Sequence, residues 1–297
     1  MRLLIAGWHG QIARALLELA PARPDITALS VGRPALDLCR PSSIRSNMVK
    51  ALPDIMINTA AYTAVDQAES EPEAVFQLNC AGAAAFAAAA AKADIPVIHL
   101  STDYVFDGTK STPYTEDDAP APRSVYGRSK LEGELAVAEA NPKHIILRTA
   151  WVYSPCGRNF VKTMLELAAE RPEIDVVDDQ VGCPTYALHL AEAILDIAAQ
   201  IASDRSSARW GTYHAAGAGA VSWFGFAQKV FDVSRRLGGP STEIASITTA
   251  EYETKAPRLD NARLDSSRLA RTFGVQLPAW TEGVEDCVRR LVPTATD

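Results

Sequence analysis

The chain has 297 residues, 47% of them hydrophobic and 22% charged, with a formal net charge of −7 at pH 7. That composition supports a packed core, in one large α/β domain or two smaller ones sharing a cleft. The acidic balance excludes a general attraction for nucleic acid or an anionic membrane, so an anionic ligand must be met by local arginines, backbone amides or helix N-termini.

The first apolar run, Leu3-Leu4-Ile5-Ala6, reaches Gly7 at once and is too short for the apolar region of a signal peptide. No stretch approaches the roughly 20 apolar residues that span a bilayer. The alanine-rich run from Ala81 to Ala91 ends in Lys92 and Asp94 and reads as a buried helix. Cys39, Cys80, Cys156, Cys183 and Cys287 are scattered without a Cys-x-x-Cys pair, which points to small thiols in a reducing compartment rather than a zinc or redox site. A cytoplasmic protein is expected.

In chain order, Leu3 to Ala6, Ile26 to Val31, Ile55 to Ile57, Val97 to Leu100 and Ile145 to Leu147 read as buried strands. Helical patterns fill residues 11–20, 42–51, 73–92 and 128–140 between them. Continuous apolar strands alternating with helices predict a doubly wound parallel sheet, an α/β fold whose ligands bind beyond the carboxyl ends of the strands. After residue 150 the pattern loosens. It gives a helix at 159–170, a strand at Ile174 to Val177, a helix at 186–200, a surface loop at 202–207, a strand around Tyr213, and helices at 222–236 and 281–291. Residues 1–150 are therefore expected to form a Rossmann domain, with later returns to its sheet at 174–215. Residues 151–297 are expected to form mainly a smaller, partly interleaved substrate domain.

Gly7-Trp8-His9-Gly10-Gln11-Ile12-Ala13 follows the first strand and opens the first helix. Gly7 permits a tight turn, Gly10 lets backbone approach a pyrophosphate, and the helix start at Gln11 and Ile12 offers unpaired amides. Arg33 stands just past the second strand, where a cation meets the 2′-phosphate of NADP, although a solvated surface arginine is the other reading, and no acid directly follows that strand to hold a free ribose diol. On these grounds NADPH is expected in preference to NADH, which stays possible, and Asp37 and Leu38 are further candidates on the cofactor side. After the third strand, Ala60, Ala61 and Tyr62 allow backbone to lie close to the ribose and nicotinamide, although small residues also suit a plain loop.

Ser101-Thr102-Asp103-Tyr104 ends the fourth strand and brings hydroxyls to the ligand edge. Tyr126 and Lys130 are four residues apart, on one helical face. An ammonium so placed is expected to stabilise the phenolate and lower the tyrosine pKa, fitting Tyr126 for proton transfer. Alone, such a pair is explained by chance. With the glycine turn upstream and the hydroxyl-bearing strand end between, the catalytic reading is preferred. His99 reads as a satisfied core residue, His9, His144, His189 and His214 show no ligand spacing, and no metal is predicted.

The glycine turn, Thr102 and Tyr126-x-x-x-Lys130 resemble the extended short-chain dehydrogenase/reductase superfamily. Longer strings narrow this: Asn58-Thr59-Ala60-Ala61-Tyr62-Thr63-Ala64-Val65-Asp66, Glu69-Ser70-Glu71-Pro72, Ser101 to Gly108, Arg148-Thr149-Ala150-Trp151-Val152-Tyr153, and Asp179-Gln180-Val181-Gly182-Cys183-Pro184-Thr185. Together they resemble the dTDP-4-dehydrorhamnose reductase family. The resemblance implies a nucleotide-sugar substrate whose 4-keto group is reduced by hydride from the nicotinamide. It further implies proton donation by Tyr126, ribose binding by Lys130 and carbonyl polarisation by Thr102. Tyr104 and Trp151 match sugar-contacting positions, with core packing the other reading of Trp151, and Asp103 is a further substrate-side candidate. Asn159 and Arg258 are candidates for the diphosphate side, although each also suits a solvated surface position. Ala15 and His189 stand near places where some members carry magnesium-binding acids, so a monomer or plain homodimer is expected rather than a metal-bridged dimer. The stretch from Pro257 to Leu264 also departs from the family pattern. A dehydratase is disfavoured because Asp103-Tyr104 stands where dehydratases carry Asp-Glu, while an epimerase or a reductase acting on another nucleotide sugar stays open as an alternative. A non-catalytic NADP-binding regulator is disfavoured because Tyr126 and Lys130 are both present.

Overall fold

Runs of branched aliphatic residues form the strands β1 (Arg2–Ala6), β2 (Thr27–Val31), β3 (Ile55–Asn58), β4 (Val97–Thr102) and β5 (His144–Thr149). The computed structural model describes residues 1–204 and 209–292. In it a further strand, β6 (Gly211–His214), completes a six-stranded sheet of order β6-β5-β4-β3-β1-β2, parallel throughout. Side chains alternate across such strands, and here both faces are covered. Leu3, Ile5, Ile55, Ile57, Ile98, Leu100, Ile145 and Leu147 enter one core, whereas Leu4, Ala6, Met56, Val97 and Ile146 enter the other.

The covering helices are α1 (Gln11–Leu19), α2 (Pro41–Ala51), α3 (Ala83–Lys92), α4 (Val125–Ala140), α5 (Phe160–Glu170), α6 (Ala187–Ser203), α7 (Trp223–Arg236) and α8 (Trp280–Leu291). The smaller core takes Ile44 of α2, Ala83, Phe86, Ala87 and Ala90 of α3, and Val137 of α4. The larger core draws on α1 and on α5 through α8, and it runs from Leu3 to Val292. The doubly wound sheet predicted from the sequence is thus the observed one.

Three local expectations are corrected. The strand at 173–177 does not return to the main sheet. Its alternate residues Glu173 and Asp175 are exposed, a one-sided pattern unlike the doubly buried central strands, and it pairs in parallel with Glu243–Ile247. Of the stretch 174–215, β6 is the part that rejoins the sheet. Second, α6 runs on to Ser203, so Ala202 and Ser203 are helical rather than loop. The rest of the loop expected there, Arg205, Ser206 and Ser207, lies outside the described residues. Third, the helical stretch Pro72–Lys92 has 21 residues and is, by length and composition alone, apolar enough to cross a membrane. Ala83, Phe86, Ala87 and Ala90 recur at helical spacing on its buried side and pack on the sheet.

The chain leaves β1 for β2 at one edge and returns to β3 on the other side, so the strand order reverses between β1 and β3. A crevice opens there at the carboxyl edge, the place where doubly wound folds hold ligands. Two small pairings close in on that edge. Val152–Tyr153 pairs with Thr185–Tyr186, and Val181–Gly182 lies between Val221–Ser222 and Asn261–Ala262.

Candidate functional site

Gly7, at the end of β1, has a φ of +129°, and its N–H donates to the Val31 carbonyl at 3.0 Å. A side chain there would be strained and would run into the Thr59 hydroxyl. Gly10 is the N-cap of α1 and makes no side-chain capping bond, and a Cβ on it would meet nothing within 4 Å. The first amides of α1 are therefore left without a side-chain acceptor. Ile12 packs against the larger core. The Gln11 side chain turns inward: Nε2 donates to the Val152 carbonyl at 3.2 Å, and Oε1 accepts from Ser154 at 2.8 Å and Asn159 at 3.0 Å.

Past β2, Arg33 is exposed. The Asp37 carboxylate accepts from the Cys39 amide at 3.0 Å and Arg40 Nε at 3.2 Å, while Leu38 is buried and packs where a Gly82 side chain would stand. Both side chains are committed within the protein, so what Asp37 and Leu38 offer a ligand is backbone. Past β3, Asn58 Oδ1 accepts from the Ala60 amide, and Asn79 holds Tyr62 through both its backbone N–H and its carbonyl. Ala60, Ala61 and Tyr62 are half-buried along the crevice.

Thr102 is the last residue of β4. Its hydroxyl donates to Asp103 Oδ1 at 2.7 Å and accepts from the Tyr104 amide at 3.2 Å. Ser124 caps α4 by accepting from the Gly127 amide, and Glu69 Oε1 accepts from the Val125 amide at 2.8 Å. These two acceptors fix the first turn of α4, on which Tyr126 stands with its ring edge-on to Tyr104, centroids 5.6 Å apart. Tyr126, Lys130, Glu134 and Val137 share the buried face of α4. Lys130 Nζ donates to the Leu100 carbonyl at 2.6 Å and lies 3.4 Å from Nε2 of His99, whose Nδ1 is 3.0 Å from Asn58 Nδ2.

The electrostatics correct one expectation. Burial pushes the Tyr126 phenol up, opposed by a hydrogen bond with Thr102, and Lys130 is directed at Leu100 and His99 rather than at the phenol. Tyr126 therefore keeps its proton at neutral pH, which is the form a proton donor needs. Burial brings Lys130 down to about 8, with Glu134 opposing. His99 is held well below its usual value by burial and by the neighbouring Lys130, which leaves it a neutral core residue. Burial raises Asp103 from 3.8 to about 7 against the Thr102 and backbone hydrogen bonds, and Asp103 Oδ2 has no hydrogen-bond partner among the described residues.

The next turn of α4 carries a feature that the Tyr-Lys spacing does not announce. Glu134 accepts a two-pronged bond from Arg148, at 3.0 Å from Nε and 2.7 Å from Nη2, and a further bond from Ser101. Both charged side chains are buried, and the pair braces β4, β5 and α4 against one another behind the site. Of the two diphosphate candidates, Arg258 reaches the crevice: Nη2 donates to Asp66 Oδ2 at 2.5 Å, and its charge faces Tyr104. Asn159 caps α5, and its amide donates to Gln11 at the start of α1 and to the Ser154 carbonyl at 2.8 Å. Trp151 leaves the sheet one residue beyond Ala150 and stacks flat on Trp223. Asp66, Trp223 and Glu134 were not singled out from the sequence, since each acts through a partner on another element.

Among the described residues no group of three or more His, Cys, Asp or Glu side chains is disposed to hold a metal ion. Ala15 is buried, and His189 lies edge-on to Tyr186 at 5.1 Å.

Comparison with known proteins bears on this arrangement. A family model, the RmlD substrate binding domain, matches residues 1–292. A dTDP-4-dehydrorhamnose reductase of Sinorhizobium fredii is 52% identical over 292 residues, covering 98% of this chain and 97% of that protein. Two crystal structures of such reductases superpose closely. The Clostridium acetobutylicum protein gives a TM-score of 0.90 at 34% identity, covering 98% of this chain and 99% of that one. The Bacillus anthracis protein, in complex with NADP, gives 0.86 at 36% identity, covering 96% and 98%. The chain belongs to the RmlD substrate-binding-domain family, that of the dTDP-4-dehydrorhamnose reductases.

Proposed function

We propose that this protein is an NADPH-dependent reductase that turns the 4-keto group of dTDP-4-dehydro-L-rhamnose into the hydroxyl of dTDP-L-rhamnose, a step of nucleotide-sugar synthesis for surface polysaccharides. The observation that carries the reading is the meeting of Thr102, Tyr126 and Lys130 at the carboxyl edge, two strands across from the Gly7 turn. The NADP complex of the Bacillus anthracis relative supports the choice of cofactor. In this reading residues 1–150 with β6 hold the cofactor, residues 151–297 mainly shape the sugar-nucleotide side, and the protein works as a monomer or homodimer. Its five cysteines stand free, which suits a cytoplasmic enzyme.

The turn fits a dinucleotide: Gly7 bends tightly, and the amides that open α1 lack a side-chain acceptor. Gly10, Gln11 and Ile12 would offer backbone to the pyrophosphate, and Arg33 would meet the 2′-phosphate. Asp37 and Leu38 would line the adenosine end through backbone. Ala60, Ala61, Tyr62 and Lys130 would hold the ribose and nicotinamide. Bound there, the nicotinamide supplies the hydride.

Tyr126, protonated because it is buried, gives its proton to the oxygen formed from the sugar carbonyl. Lys130 is cationic below about 8 and in that form would donate to the nicotinamide ribose. Thr102 donates to the same oxygen. Its hydrogen is otherwise shared with Asp103, so a protonated Asp103 frees it. Asp103, Tyr104 and Trp151 surround the sugar, and Arg258, held by Asp66, meets the diphosphate. Asn159 supports this wall through Gln11.

The test is NADPH oxidation followed with dTDP- and UDP-linked 4-keto sugars side by side, with NADH run in parallel. Stoichiometric oxidation with the dTDP sugar is expected. No turnover with any 4-keto nucleotide sugar would sink the proposal.

A further inference from the structure

Three non-glycine residues among those described have a positive φ: Leu52, Asp94 and Trp151. The first two follow α2 and α3, where a left-handed residue is a common way to close a helix. Trp151, with φ +46°, ends no helix. It follows β5, two residues after Thr149, the register partner of Thr102. A bulky aromatic residue in this region is strained and persists only where its surroundings overdetermine it.

The surroundings do so here. The Trp151 indole stacks on Trp223 with ring centroids 3.4 Å apart and planes 9° from parallel. Its benzo edge lies over Gly182, where a Cβ would stand 2.7 Å from Cζ2 and 2.9 Å from Cδ2. The Trp151 carbonyl accepts from the Thr185 amide at 3.1 Å. Trp223 is pinned in turn. Its Nε1 donates to Gln180 Oε1 at 3.2 Å, Gln180 Nε2 donates to Thr249 at 3.0 Å, and Phe160 packs against its ring at 4.6 Å. Simple core filling does not require a left-handed backbone, and both indoles remain partly exposed beside the catalytic strand end.

We propose that Trp223, Gln180 and Gly182 are positioning residues that lock Trp151 in its strained conformation. Its indole then presents a fixed apolar wall to the C–H face and methyl edge of a deoxy sugar next to Thr102 and Tyr126. The inference rests on the reading of Trp151 as a sugar contact. A wall that is already immobile needs no ordering when substrate binds, so the lock acts on affinity for the sugar nucleotide and not on proton transfer or cofactor binding.

The test uses the full-length protein with Trp223→Leu and Trp223→Phe, and reads steady-state kinetics together with the exciton circular dichroism of the stacked indoles. In Trp223→Leu the exciton couplet is lost and KM for dTDP-4-dehydrorhamnose rises about tenfold or more. Its kcat stays within about threefold, and KM for NADPH is unchanged. Trp223→Phe, which keeps a stacking ring, restores the sugar KM to within about threefold of wild type. If Trp223→Leu does not fold, Gln180→Leu removes the indole acceptor and is read by the constants alone: a sugar KM raised with NADPH KM unchanged supports the lock, and an unchanged sugar KM overturns it. An unchanged sugar KM in Trp223→Leu despite a lost couplet overturns the inference, as does an equal loss in the sugar and NADPH constants. A wild-type protein without turnover would instead overturn the reductase reading on which the wall rests.

Discussion

Asp103→Asn measures what the fold concedes to its site. Asp103 is 3% exposed, one carboxylate oxygen has no partner, and burial raises its pKa from 3.8 to about 7. Below 3.8 the folded and unfolded chains both hold the proton and there is no penalty. As pH rises from there to about 7, the unfolded chain ionises while the folded one keeps its proton, so stability falls; above about 7 the full penalty persists. A gap of about three pKa units corresponds to about 4 kcal/mol, of which about 2–3 kcal/mol develops between pH 5 and pH 8. Asparagine keeps the shape and can accept the Thr102 hydrogen without a charge to desolvate, although its buried N–H₂ lacks a partner, at a cost of about 1–3 kcal/mol. Urea unfolding of both proteins at pH 5 and pH 8 reads the difference. The variant should gain about 2–3 kcal/mol on wild type between the two pH values and be the more stable protein at pH 8. An advantage that stays constant, or shrinks as pH rises, would refute the reasoning.

Tyr126→Phe should lower kcat by about 10²–10⁴ while leaving NADPH affinity unchanged in a fluorescence titration; a wild-type rate would mean that another group donates the proton. In the wild type, kcat should decline on the alkaline side as Lys130 loses its charge near about 8, and a profile flat to pH 10 would remove Lys130 from that role. Arg148→Met leaves Glu134 buried without its partner and should cost about 3–5 kcal/mol in urea unfolding, whereas pairing it with Glu134→Leu should recover much of the loss. Asp66→Asn frees Arg258 and should raise KM for the sugar nucleotide without altering that for NADPH. Equal changes in both constants would show that Asp66 is merely structural.

Much of the fold was legible in the sequence because its signals are local. Continuous apolar runs such as Ile55 to Ile57 can be covered only on both faces, and the turn at Gly7 needs a residue free of a side chain. The four-residue spacing of Tyr126 and Lys130 places both on one helical face whatever surrounds them. Nothing local marks Asp66 as the partner of Arg258, 192 residues away, or Trp223 as the plate beneath Trp151. Nor does it show that residues 173–177 pair with 243–247 instead of rejoining the main sheet. The charge states were also beyond reach: the spacing suggested that Lys130 would lower the Tyr126 pKa, yet burial raises it, and Lys130 donates to the Leu100 carbonyl instead. The sequence by itself thus determined the elements and the Tyr126–Lys130 face, because propensity and periodicity act over a few residues. Tertiary structure alone decided which distant side chains meet, and what removing water does to the groups between them, because desolvation depends on everything packed around a group.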